Sequence, residues 1–233
     1  MSNLRKLAIF NIIALLVILI SDIVYACVGI PYVFKTLTSV LFVVSGIINF
    51  LFATKVGFEE KKYKRFAILM LVGLVFAMAG DILLIESSLF VFGAGMFAVG
   101  HIFFFVAYLQ LTQFCIRDLV CFLSVFAVAL AVILLYPGFV FEGIMKIVVT
   151  IYALIIALML GKSISNLFNN EVSKLAKWLI FIGSLMFFLS DVCLLFNVFA
   201  GWGRWIDMMC IFLYYPAEAV LASTIFFASR KEY

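Results

Sequence analysis

Charge is scarce in this chain. Only 12% of its 233 residues are Asp, Glu, Lys or Arg, whereas 68% are hydrophobic, and the mean hydropathy is +1.32. Soluble domains carry about 25% charged and about 45 to 50% apolar residues, so water is not the solvent this sequence is built for. Proline is nearly absent, with three residues against 28 Phe. That balance favours long unbroken helices, because inside a bilayer only helices or closed barrels satisfy every backbone group. A barrel is excluded by the lack of a period of two: the apolar runs are continuous.

Histidine is present once, at His101, and none of the five cysteines (Cys27, Cys115, Cys121, Cys193, Cys210) stands in a CxxC pair. A zinc hydrolase takes three protein ligands, commonly two or more of them His, so the usual sets cannot be assembled. The cysteines read instead as small apolar core residues. Phosphate-binding loops, nucleophile elbows and dinucleotide fingerprints are also missing. The net charge of +4 is too small to point to nucleic acid, and the bases fall in short loops. No metal, cofactor or nucleic-acid partner is expected. Carboxylate chemistry, ion coupling and lipid binding remain.

Eight apolar segments have the length that crosses a hydrocarbon core of about 30 Å: 7–28, 33–53, 66–85, 89–111, 119–136, 143–161, 175–197 and 205–228. The fold class predicted is therefore an all-α membrane protein forming a single transmembrane domain over 1–233. The first segment imitates a signal peptide, with Arg5 and Lys6 before its apolar run, but Asp22 interrupts it and Tyr25-Ala26-Cys27 is a poor lipobox. It reads as an uncleaved helix. With eight spans, one side receives Arg5, Lys6, Lys55, Lys61, Lys62, Lys64, Arg65, Arg117, Lys162, Lys174, Lys177, Arg230 and Lys231. The other side receives Lys35, Lys146 and Arg204, a division of 13 to 3 among the 16 basic residues. Basic residues gather on the cytoplasmic side, which places both termini in the cytoplasm.

The acids divide differently. Glu59, Glu60, Asp118, Glu171 and Glu232 fall in cytoplasmic loops, while Asp22, Asp81, Glu86, Glu142, Asp191, Asp207 and Glu218 lie within spans or near their outer ends. An ionisable group in a span costs about 2.5 to 3.5 kcal/mol on insertion scales and normally faces a protein or water cavity. Two of these acids recur in one pattern. Gly73 precedes Asp81 by eight positions in Gly73-LVFAMAG-Asp81-ILL, as Gly183 precedes Asp191 in Gly183-SLMFFLS-Asp191-VCLL, at an offset of 110. Gly93-Ala-Gly95 and Gly201-Trp-Gly203 follow at an offset of 108, and Lys35 and Lys146 at 111. Together they predict two parallel four-helix repeats, 1–111 and 119–233, with Asp81 and Asp191 facing each other at similar depth.

Residues three, four or seven apart share a helix face. Polar stripes of this kind run through the second span (Lys35, Thr38, Ser45, Asn49), the fourth (Gly93, Gly100, His101, Tyr108), the seventh (Ser184, Asp191, with Ser190 adjacent) and the eighth (Arg204, Asp207, Tyr214, Glu218). The fifth has only Ser124 and is expected at the lipid-facing edge. Each candidate also has a plainer reading. A lone His is more often a satisfied core donor than a catalyst, Lys35 at a helix start can snorkel to the interface, and Asp207 can be an interfacial partner of Arg204. Glu86 and Glu142 read as ordinary outer-loop charges.

These motifs resemble a known family. Gly80-Asp81-Ile-Leu-Leu closing one helix, Gly93-x-Gly95 and Gly100-His101 in the next, Gly183-Ser184 with Ser190-Asp191, Tyr214-Tyr215 in the last span and Lys35 in the second are similar, in order and spacing, to the YhhN-like lysoplasmalogenase family along essentially the whole chain. Thr36 stands where the family pattern has Pro after the lysine, and Glu218 where it has Gln. The resemblance implies a multi-pass membrane hydrolase that cleaves the vinyl ether of lysoplasmalogens, with a lysophospholipid substrate and membrane lipids as its partners. Such an ether is hydrolysed by protonation of the carbon β to oxygen, which needs a neutral acid and a nearby anion, and two close carboxyls in a dry site can share one proton and fill both roles. On this reading Asp81 and Asp191 are catalytic, Tyr214 or His101 positions water, and Lys35 or Arg204 meets the phosphate, with Ser190, Asp207 and Glu218 around the substrate. The reading from another class is a proton-coupled secondary transporter or channel, since parallel repeats with intramembrane acids describe these too.

Overall fold

The structure is a computed structural model that describes residues 2–28 and 31–229. Eight α-helices follow one another: α1 (Ser2–Val28), α2 (Pro31–Val56), α3 (Lys61–Leu83), α4 (Phe90–Leu111), α5 (Ile116–Leu135), α6 (Met145–Leu167), α7 (Lys174–Ala200) and α8 (Arg204–Phe227). All eight are long and apolar enough to cross a membrane. One 3-10 turn, Ser87–Leu89, links α3 to α4. Arg230, Lys231 and Glu232, used in the charge division above, lie outside the described residues.

The last helix is the hub. α8 packs on α1, α2, α3 and α7, and 78% of its apolar window is buried, against 17% for α5. The edge position expected for the fifth span is found. Pro216 sits inside α8 without ending it. The pairings largely survive an exchange of the two four-helix halves: α1 with α2 and α5 with α6, α2 with α3 and α6 with α7, α3 with α4 and α7 with α8, and α2 with α8 and α6 with α4. Two pairings do not. α1 and α3 both pack closely on α8, but among the described residues their counterparts α5 and α7 make no comparably close approach to α4.

Glycines set the closest approaches, because removing Cβ lets backbones meet where dispersion between helices, rather than exclusion from water, holds a membrane bundle together. A Cβ on Gly80 would stand 2.8 Å from the Phe97 ring, and one on Gly100 3.2 Å from the Gly73 carbonyl. These contacts lock α3 to α4. Gly183, the counterpart of Gly73, does the same for α7 against Leu221 of α8, where a Cβ would stand at 2.8 Å. Gly201 ends α7 with φ +64 and Gly203 precedes α8 with φ +79. The Gly-Trp-Gly motif therefore forms the turn itself, whereas Gly93 and Gly95 lie within the first turns of α4.

Two charges assigned to loops are inside the bundle. Lys162 and Asp118, 1% and 2% exposed, form an ion pair at 2.8 Å between α6 and α5. Lys162 also donates to the Gln113 carbonyl at 3.2 Å. Both helices extend beyond their expected ends, and a pair that neutralises itself lets them do so at a bearable desolvation cost. The cysteines are all unpaired, but only Cys193 is buried and Cys27 is exposed, so the core reading holds for one of the five.

Candidate active site

The two aspartates lie in separate but similarly built clusters. On α3, Asp81 is 6% exposed, and its Oδ2 accepts from Ser39 Oγ of α2 at 2.6 Å and from Tyr214 OH of α8 at 2.8 Å. On α7, Asp191 Oδ2 accepts from Tyr152 OH of α6 at 2.9 Å and lies 3.5 Å from His101 Nε2 of α4. Each carboxyl is thus held by the helix preceding its own and by the final helix of the opposite half. No hydrogen bond joins Asp81 to Asp191. The direct proton-sharing contact pictured from the sequence is replaced by two clusters with aromatic rings between them.

Those rings make a continuous path. Tyr214 meets Phe187 at 5.1 Å and Phe97 at 5.6 Å between centroids, and Phe187 meets His101 at 4.5 Å. All are edge-on contacts, the arrangement ring quadrupoles favour. The chain of contacts therefore runs from Asp81 through Tyr214, Phe187, His101 and Tyr152 to Asp191.

Hydrogen-bond bookkeeping constrains the second cluster. His101 Nε2 lies 2.9 Å from Tyr152 OH. A tyrosine that gives its one proton to Asp191 can only accept from the ring, so Nε2 carries the hydrogen and Nδ1 is left as an acceptor. Nδ1 is buried without a protein partner. The single histidine is therefore tied to an acid through a phenol.

The remaining candidates are spread over several places. Lys35 is half-buried on α2, and its charge acts on Asp81. Arg204 and Asp207, in the first turn of α8, both act on Tyr25 of α1, and Asp207 Oδ1 accepts from Asn197 at 3.4 Å. Glu218 is fully buried one turn below Tyr214 with both oxygens lacking a hydrogen-bond partner, and it interacts electrostatically with both Asp81 and Asp191. Ser190 turns back to donate to the Phe187 carbonyl of its own helix at 2.7 Å, so it presents nothing to the site. Tyr108 and Ser184, from two expected stripes, meet at 2.9 Å across α4 and α7.

Two partners escaped the stripe reading. Ser39 follows Lys35 by four residues and was hidden by Thr38, which turns instead to Ser21 of α1 at 2.8 Å. Tyr152 has only Thr150 as a polar neighbour between Lys146 and Lys162 of α6, and in sequence it cannot be told from an interfacial aromatic.

Beside Asp191 lies a half-open cleft of about 790 Å³, the space at its mouth included, lined by side chains of α4, α5, α6 and α7 that include Phe90, Ala129, Ile133 and Val149, with Tyr152 and Asp191 supplying its polar groups. Phe97 forms part of its wall. Asp81 does not border it. The side chain of Asp191 is 15% exposed.

This arrangement can hold a proton on a carboxyl, move one along a phenol and imidazole, and admit an apolar molecule next to one acid. Among curated proteins and among solved structures, none matches this chain. A family model does match, over residues 30–225, from the residue before α2 to the last turn of α8, and the chain belongs to the YhhN family.

Proposed function

We propose that this protein is a membrane hydrolase that cleaves the vinyl ether of lysoplasmalogens, releasing a fatty aldehyde and a glycerophospho-headgroup. The observation that carries this reading is the pair of carboxyls, each in its own cluster of hydroxyl donors within the spans, in a chain of the YhhN family. In the reaction, a carboxylic acid gives its proton to the β carbon of the vinyl ether, producing an oxocarbenium ion. Water adds to the cation and loses a proton to a carboxylate. The hemiacetal then collapses to aldehyde and free glycerol hydroxyl, so that one water is consumed, and return of the proton from the base to the acid restores the pair. Asp191 and Asp81 supply the acid and the base, His101 Nδ1 and Tyr214 orient water, and Lys35 or Arg204 meets the phosphate.

The carrier reading has less support. Secondary transporters bind at discontinuous helices near the midplane, whereas each of the eight helices here is unbroken. Purified protein given a lysoplasmalogen and, separately, an ester lysophospholipid is expected to release aldehyde from the first and no fatty acid from the second. Fatty acid from the ester, or no product from either, would defeat the proposal.

For orientation we propose that both termini and the loops 57–60, 112–115 and 168–173 face the cytoplasm. Reporters fused after Lys62 or Asn169 are expected to read cytoplasmic, and those at Ser87 or Gly201 the opposite side, following the 13 to 3 division of bases. Cytoplasmic labelling at Ser87 would reverse the assignment.

A further inference from the structure

We infer that the cleft left open between α4 and α5 is the seat of a single hydrocarbon chain of a membrane lipid, and that of the two carboxyls Asp191 is the one this chain lies against. The inference starts from one of the two helix pairings that break the exchange of the halves, that of α1 with α8. α1 lies against both α2 and α8, the helices that carry Ser39 and Tyr214, the partners of Asp81. Its counterpart α5 lies along α6 but leaves α4 uncovered, and the space so left is the cleft, bordered by Phe90 and Ala94 on one side and Ala129 and Ile133 on the other. Two clusters built alike are thus served unequally: a helix backs the partners of one, and the other borders a cavity.

The chemistry of the lining identifies the occupant. Apart from Tyr152 and Asp191 the named walls are aliphatic or aromatic, and they belong to helix segments that lie within the apolar spans. What stands outside the gap is therefore hydrocarbon, so a chain passes from the bilayer into the cleft without leaving an apolar medium. Since no hydrophobic gain accompanies that step, retention must come from packing against the walls and from the polar groups at the cleft's inner end. The small residues Ala129 and Ala153, each 8% exposed, give the chain its width. Phe97, pressed onto Gly80, separates this space from Tyr214 and Asp81.

The inference rests on the lipid-hydrolase reading only in taking a lipid as the occupant, and its test needs no turnover. Protein in phosphatidylcholine nanodiscs is irradiated with an ester-linked lysophosphatidylcholine that carries a diazirine at mid-chain, and the labelled peptides are mapped. Label is expected to concentrate on the stretches of α5 and α6 that contain Ala129, Ile133 and Val149. Ala129→Trp should reduce it about tenfold by filling the cleft. Val120→Trp, on the exposed face of the same helix, should leave it unchanged. Should Ala129→Trp lower the melting temperature, Ala153→Phe fills the same space from α6 and is read instead. Label spread over every lipid-facing surface, or equal in wild type and in the filled variant of unchanged stability, would overturn the inference. Concentrated label in a protein that releases no aldehyde would leave the cleft in place and sink the hydrolase reading alone.

Discussion

Replacing Asp191 with Asn is expected to lower lysoplasmalogen turnover about a hundred- to ten-thousandfold, the range spanned by loss of a positioned general acid or base, while the protein remains folded. Asn keeps the shape of the side chain and can still accept from Tyr152 at 2.9 Å. It can neither deliver a carboxyl proton to carbon nor carry the negative charge that stabilises an oxocarbenium ion. Asp81→Asn is expected to cost as much, because its partners Ser39 and Tyr214 can be kept while the charge is lost. Tyr152→Phe should do less harm, since it removes the link to His101 but leaves the carboxyl. Glu86→Gln, at an exposed turn, should be nearly silent. The measurement is the initial rate of aldehyde release at matched amounts of folded protein, with melting temperature as the control. If either Asn variant kept the wild-type rate, that acid would have no part in the chemistry.

Much of the architecture was legible in the sequence because a bilayer leaves few options. Continuous apolar runs can only be helices, so eight spans could be counted from hydropathy, and the poverty of polar groups on 119–136 placed that helix at the edge. Asp81 and Asp191 were conspicuous for the same reason: in an apolar span an acid cannot be a solvated surface residue. The partners of those acids were less legible. Hydroxyl groups are cheap enough in a membrane helix to stand there for packing alone, so nothing in the sequence distinguishes Ser39, which meets Asp81 as well as its own backbone, from Ser190, which bonds its own backbone. Lys162 and Asp118 misled for the converse reason. At the end of a span a charge reads as a loop residue, and only the fold shows that each neutralises the other. The separation of the two carboxyls was equally hidden, since equal sequence offsets fix corresponding positions but not the rings of Phe97 and Phe187 between them.

Glu218 is the residue for which neither level gives a complete account. Sequence places it on the polar face of α8, and the fold buries it with both oxygens lacking a hydrogen-bond partner, acted on by both aspartates. A charge so placed is costly unless it finds a proton or a cation. That makes it a third acid, buried in the helix that packs on those carrying the other two.

The bond broken is the centre of this account, and turnover in D2O tests it most directly. An exchangeable carboxyl proton delivered to the β carbon becomes deuterium in that solvent, and it arrives before water adds. The aldehyde, trapped promptly so that later enolisation does not contribute, is therefore expected to carry one deuterium on the carbon next to the carbonyl, as read by mass spectrometry or NMR. The proton is in flight in the transition state, so the rate should also fall where chemistry is limiting, although slow product release would mask that effect and leaves the label as the cleaner signal. One deuterium per aldehyde at that carbon is the predicted result; aldehyde that forms with none there would contradict it.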